Sequence, residues 1–229
     1  MSAKMRAMVS AALLCTLFFL GCRATSSARV SQGSRTAADI RRAELQRELD
    51  KKWENPTAHF EMGQSYHAAG DWSKAEWHYN IALGFNPAYR DAQAAIVKLQ
   101  LDKGDKQKAE WAASTYMTQV ASSPEQLVGL GVAFEKQGLD VYALKCYQDA
   151  LKTAPDSPTV NRQLGYYYLA KNKKDLAKEY FIRSFQLNPN QPDVAGELGR
   201  LGVTVKIPEL AAPAPGNISQ PVKPASQPK

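Results

Sequence analysis

The sequence predicts an all-α protein, a solenoid of four helix-turn-helix repeats closed by a capping helix at each end. Three observations carry this. Gly63, Val97, Gly131, Gly165 and Gly199 follow one another at 34-residue intervals with no insertion or deletion. A turn residue stands in the middle of each unit, at Gly70, Gly104, Gly138 and Asn172. Each unit closes at Pro87, Ala121, Pro155 or Pro189, and proline ends a helix because it has no N–H to give the preceding turn. A unit of this length cannot bury its apolar face alone, so a fixed period implies stacked repeats.

From the N-terminus, residues 1–21 read as a signal peptide. Lys4 and Arg6 precede an apolar run from Ala7 to Leu20, too short for a bilayer span of roughly 20 residues. Phe19-Leu20-Gly21-Cys22 resembles the lipobox of bacterial lipoproteins, in which the cysteine is lipidated and becomes the mature N-terminus. The alternative is a plain secretory signal with an incidental cysteine. The resemblance implies a membrane anchor at Cys22, and Arg23 after it leans toward the outer membrane. Cleavage removes two basic and no acidic residues, which lowers the formal net charge from +7 to +5. Cys15 leaves with the signal, so Cys146 is the one cysteine left in the folded part and no internal disulfide can form.

Residues 22–35 are rich in Ser, Ala, Gly and Arg and read as a flexible tether. Thr36 with Asp39 has the form of a capping box opening a helix over 36–53, with Leu45, Leu49 and Trp53 on one stripe. Repeats are expected at 56–89, 90–123, 124–157 and 158–191 within a domain spanning 54–207. A fifth unit starts in phase at Pro192 and stops after one helix, a C-terminal cap over 192–202. Residues 208–229 carry six prolines among small polar residues and cannot build a core; a spacer is expected, with a polyproline ligand as the alternative.

Further positions recur in phase: Tyr66, Gln100, Phe134 and Tyr168; Ala75, Ala109, Ala143 and Ala177; Tyr79, Ala113, Tyr147 and Phe181; Ala82, Tyr116, Ala150 and Ser184. With its period, this pattern resembles the tetratricopeptide repeat over about residues 56–202. Small residues let paired helices approach while aromatics fill the space beside them. In the second unit Val97 replaces the glycine, and Ala113 and Tyr116 exchange large and small positions, which keeps volume with a local shift. His59, Gln93, Leu127 and Asn161 stand where the family has a tryptophan.

Catalytic groups are scarce. His59 and His67 lie eight residues apart, about 12 Å along a helix, too far to share a metal alone, and His78 is expected to be structural. No His-Glu-x-x-His, phosphate-binding glycine loop, nucleophile elbow or cysteine pair is present, so no cofactor, nucleic acid or small-molecule substrate is expected. The resemblance instead implies a concave groove on the first helix of each repeat. Its candidate residues are Phe60, Gln64 and His67; Ala94, Lys98 and Leu101; Val128, Val132 and Glu135; and Arg162, Tyr166 and Leu169. The groove is expected to hold a protein or peptide segment. The architecture resembles tetratricopeptide lipoproteins that act as pilotins or pilus-assembly factors. An adaptor for outer-membrane assembly or cell-wall enzymes is the alternative, and an envelope hydrolase a remote one.

Overall fold

The computed structural model describes residues 36–206; the expected signal segment, Cys22, the tether and the proline-rich tail lie outside the described residues. The described residues form ten α-helices and no strand. After α1 (Ala37–Lys51) come four hairpins: α2 (Pro56–Ala68) with α3 (Trp72–Phe85), α4 (Arg90–Asp102) with α5 (Lys106–Gln119), α6 (Pro124–Lys136) with α7 (Asp140–Thr153), and α8 (Pro158–Ala170) with α9 (Lys174–Leu187). α10 (Pro192–Arg200) closes the series. The sequence period passes into the structure without slip, since every hairpin helix begins 34 residues after its counterpart.

Local chemistry sets the boundaries. The side chains of Asn55, Asp71, Asp105, Ser123 and Ser157 each accept from the backbone N–H three residues on, filling one of the donors that a helix start leaves open. Proline opens α2, α6, α8 and α10, where its missing N–H costs nothing. Between the helices of each hairpin the chain turns through a left-handed residue: Gly70 at φ 76°, Gly104 at 83°, Gly138 at 70° and Asn172 at 57°. Asparagine is the non-glycine residue that best tolerates this region, so the fourth unit turns like the others.

Packing within the hairpins turns on one pair. A Cβ added to Gly63, Gly131 or Gly165 would fall 2.5 Å from the ring of Tyr79, Tyr147 or Phe181, respectively. The aromatic of the second helix therefore occupies the space that any side chain on the first would need. By the same register Val97 of the second unit looks toward Ala113, and both are buried. The volume exchange expected between Ala113 and Tyr116 thus has a more direct form, a Gly–aromatic pair replaced by a Val–Ala pair. α4 is buried along Ala92–Val97 because it packs against α3, α5 and α6.

At the position of His59, Gln93 and Asn161, three polar side chains share one task. His59 Nε2 donates to the Trp53 carbonyl at 3.0 Å, Gln93 Nε2 to Pro87 at 2.7 Å, and Asn161 Nδ2 to Pro155 at 3.0 Å. Each reaches six residues back into the loop before its own helix, and all three side chains are buried. They fix the join between one repeat and the next by satisfying a carbonyl that the loop leaves open. Leu127 fills the same place in the third unit by packing alone.

The core runs in three connected groups. The main cluster extends from Phe60 to Tyr167; Leu45 and Leu49 of α1 pack with Ala58 and Met62 of α2; Val194, Ala195 and Leu198 of α10 pack with Phe181 and Phe185 of α9. Tyr66 and Tyr168 join the terminal groups to the main one. One expectation is corrected here. α1 stops at Lys51, so Trp53 is not on its buried stripe but beyond its end, edge-on to His59 with ring centroids 4.7 Å apart.

Candidate functional site

The residues expected to line a groove divide by depth. Phe60 is only 8% exposed and its ring lies 5.8 Å from that of Tyr79 and 5.1 Å from that of Tyr89. Ala94 and Val128, its counterparts in the next two units, are buried as well. These three are core residues, which corrects their placement as contact residues; Arg162 alone is partly open at that position. For Phe60 the reason is steric: Tyr79 of the second helix and Tyr89 of the following loop pack against its ring.

The two outer positions remain accessible. Gln64 is exposed, and Lys98, Val132 and Tyr166 are half-buried at the same place in the following units. His67, Leu101, Glu135 and Leu169 are half-buried one turn further on. Several are held by partners. His67 Nε2 donates to Asp102 Oδ2 at 3.0 Å, and Tyr79 donates its hydroxyl to His67 Nδ1 at 3.4 Å. Lys98 also pairs with Asp102. Burial raises the Asp102 carboxyl, and Lys98 and His67 together overcome this and hold it below the usual carboxylate range. In the third unit Tyr147 donates to Glu135 at 2.8 Å, and burial and this carboxylate push the phenol well above its ordinary value.

The fourth unit builds its edge with the help of the cap. Tyr166 donates to Asp193 Oδ2 at 3.0 Å while its ring stands edge-on to Phe181 at 5.0 Å. Arg162 lies 3.6 Å from the same carboxylate. Burial and then Asp193 push the Tyr166 phenol up to about 12, so it is a neutral donor at any physiological pH. Asp193 was not among the sequence candidates. The signal was available, since Asp193 follows Pro192 at the start of a fifth unit that is in phase with the rest.

A second feature missed in the sequence is the contact between His59 and His78, whose Nδ1 atoms lie 3.1 Å apart in a buried setting. With His59 Nε2–H committed to the Trp53 carbonyl, His78 supplies the proton between the rings. Burial lowers both imidazoles, His78 to about 4 with help from its neighbour. Tyr79 is 1% exposed, so it holds His67 from inside the core while His67 and Asp102 stay partly open to solvent. Cys146 is fully buried and burial pushes its thiol up to about 12, well removed from nucleophilic behaviour. No group of three His, Cys, Asp or Glu side chains among the described residues could hold a metal.

No family model matches the chain. It is 30% identical over 151 residues to the type IV pilus assembly protein PilF of Pseudomonas aeruginosa, an alignment covering 63% of this chain and 58% of that protein. The chain thus spans less than two thirds of the length of the curated relative it matches. Among solved structures, that of P. aeruginosa pilF is 25% identical with a TM-score of 0.36, covering 70% of this chain and 68% of the other. A crystal structure of MamA protein is 19% identical with a TM-score of 0.38, covering 64% and 80%. Four in-phase hairpins with glycine–aromatic crossings and single-helix caps give the chain the form of a helical-repeat solenoid resembling tetratricopeptide arrays, and over 151 residues it is similar to a type IV pilus assembly protein.

Proposed function

We propose that the protein is a lipid-anchored interaction scaffold of the bacterial envelope that assists assembly of a pilus. The observation that carries this is the 30% identity to a pilus assembly protein over 151 residues. The accessible edge of the first helices supports protein binding. It offers an amide at Gln64, a cation at Lys98, an aliphatic at Val132 and an aromatic ring at Tyr166, a mixed surface suited to an extended or helical segment. Attachment is assigned to acyl chains on Cys22 because Phe19-Leu20-Gly21-Cys22 resembles a lipobox. The protein faces the periplasm from the outer membrane in this reading.

Deletion followed by complementation tests it. Wild type restores surface pilus filaments, and Cys22→Ala, which metabolic labelling with a fatty-acid analogue no longer marks, does not. Normal filaments in the deletion strain contradict the pilus role, and label persisting on Cys22→Ala contradicts the anchor.

A further inference from the structure

All four tryptophans of the chain lie at the surface, Trp53 at 44% exposure, Trp72 at 40%, Trp77 at 52% and Trp111 at 72%. Tryptophan is a highly buried side chain on average, so a core that contains none while the surface contains four is not a consequence of folding. Their distribution is uneven. The third and fourth units carry Lys145 and Glu179 where the first and second carry Trp77 and Trp111. Trp53 and Trp77 touch, with centroids 6.1 Å apart, and Phe85, itself 41% exposed, lies 6.0 Å from the His59 ring beneath them. Trp77 and Trp111 share one register on α3 and α5, so they present on the same side of successive hairpins. The candidate protein-binding residues stand on the first helices instead.

The chemistry of this surface favours one occupant. An indole combines a flat apolar body with a single N–H donor, which suits the boundary between acyl chains and headgroups. Lys74, Lys103 and Lys108 flank the tryptophans on long stems that can reach headgroups while their methylenes stay low. Carboxylates already pair with all three, through Asp71, Glu76 and Asp105, so these lysines add little net charge to the face. Chain connectivity selects the same half of the molecule. Fourteen residues, 22–35, separate Cys22 from the described part, a contour length of at most about 50 Å. The first two units are therefore the ones an acyl anchor holds near the bilayer, and tethering lets a modest surface affinity act as an intramolecular contact.

We infer that the tryptophan face made by Trp53, α3 and α5 rests on the phospholipid interface and leaves the first helices turned to their protein partner. This rests on the lipid-anchor reading. The tryptophans supply their own readout, because the signal and tether contain none. Protein purified with its native lipid is reconstituted in phosphatidylethanolamine–phosphatidylglycerol vesicles whose acyl chains are either ordinary or brominated. Brominated chains should lower tryptophan emission about twofold, since an interfacial indole sits at acyl depth. The W77S/W111S variant, checked for wild-type helicity, should still float with the vesicles and lose most of the quenching. Protein that floats but emits equally in both vesicles overturns the membrane face, and points to a protein partner there. Protein that neither floats nor is quenched overturns the anchor and the face together.

Discussion

Tyr147 occupies the space that any side chain on residue 131 would need, and the second repeat shows how such a conflict can be resolved. Gly131→Val places its Cβ 2.5 Å from the Tyr147 ring and should cost about 1 to 3 kcal/mol. Adding Tyr147→Ala reproduces the Val97–Ala113 pair of the second unit. In a denaturant double-mutant cycle the double variant should be more stable than the sum of the singles by about 1 kcal/mol or more. Additive costs would mean that the two positions do not meet. The His59–His78 contact gives the second prediction at this scale. Both imidazoles are held below their ordinary 6.5 in the fold, His78 at about 4, so the unfolded chain takes up protons first as pH falls. Stability is then full above pH 6.5 and declines toward pH 4, with about 2 kcal/mol lost from His78 between pH 7 and pH 5. Thermal melts at these two values should separate for the wild type and nearly coincide for H59Q/H78Q. Equal separation in both proteins would place the acid sensitivity elsewhere.

The helices themselves were legible because their period, turns and breakers all repeat in the sequence. Gly70, Gly104, Gly138 and Asn172 mark the turns in the sequence, and each has the left-handed backbone that a short hairpin requires. Two features were not legible for a common reason. Whether Phe60 faces a groove or the core depends on how closely Tyr79 and Tyr89 approach from other elements, and period alone does not state that distance. Likewise His59 and His78 are 19 residues apart and meet only once α2 and α3 have paired. The end of α1 at Lys51 follows local chain chemistry that apolar spacing overrides too readily, which is why Trp53 leaves the stripe. The C-terminal element offers its own test. α10 covers the last hairpin with Val194, Ala195 and Leu198, and Gly199 meets no opposing helix. Leu198→Ala should cost about 2 to 5 kcal/mol. Because stability in a repeat array is local, hydrogen exchange should rise first in α9 and α10 while α2 to α5 keep their protection. A uniform rise along the chain would contradict a capping role.

At the scale of the molecule, the repeats leave two surfaces with different chemistry. The second helices carry exposed tryptophans in the first two units, and the first helices carry the graded edge from Gln64 through Lys98 and Val132 to Tyr166. Function by capture requires that the partner sit on the latter. Surface ion pairs such as Lys136–Asp91 contribute little to stability and are free to exchange for partner contacts, whereas the Arg162–Asp193–Tyr166 edge is pre-set by its own hydrogen bond. The most direct measurement is site-specific photo-crosslinking in living cells, with a photoreactive residue at Gln64, Lys98 or Leu169 on the first helices and at Ser114 or Gln148 on the second. Adducts to one envelope protein are expected from the first-helix positions and none to that protein from the second-helix positions. Adducts to it from Ser114 and Gln148 alone would place the binding surface on the wrong side of every hairpin and contradict the account.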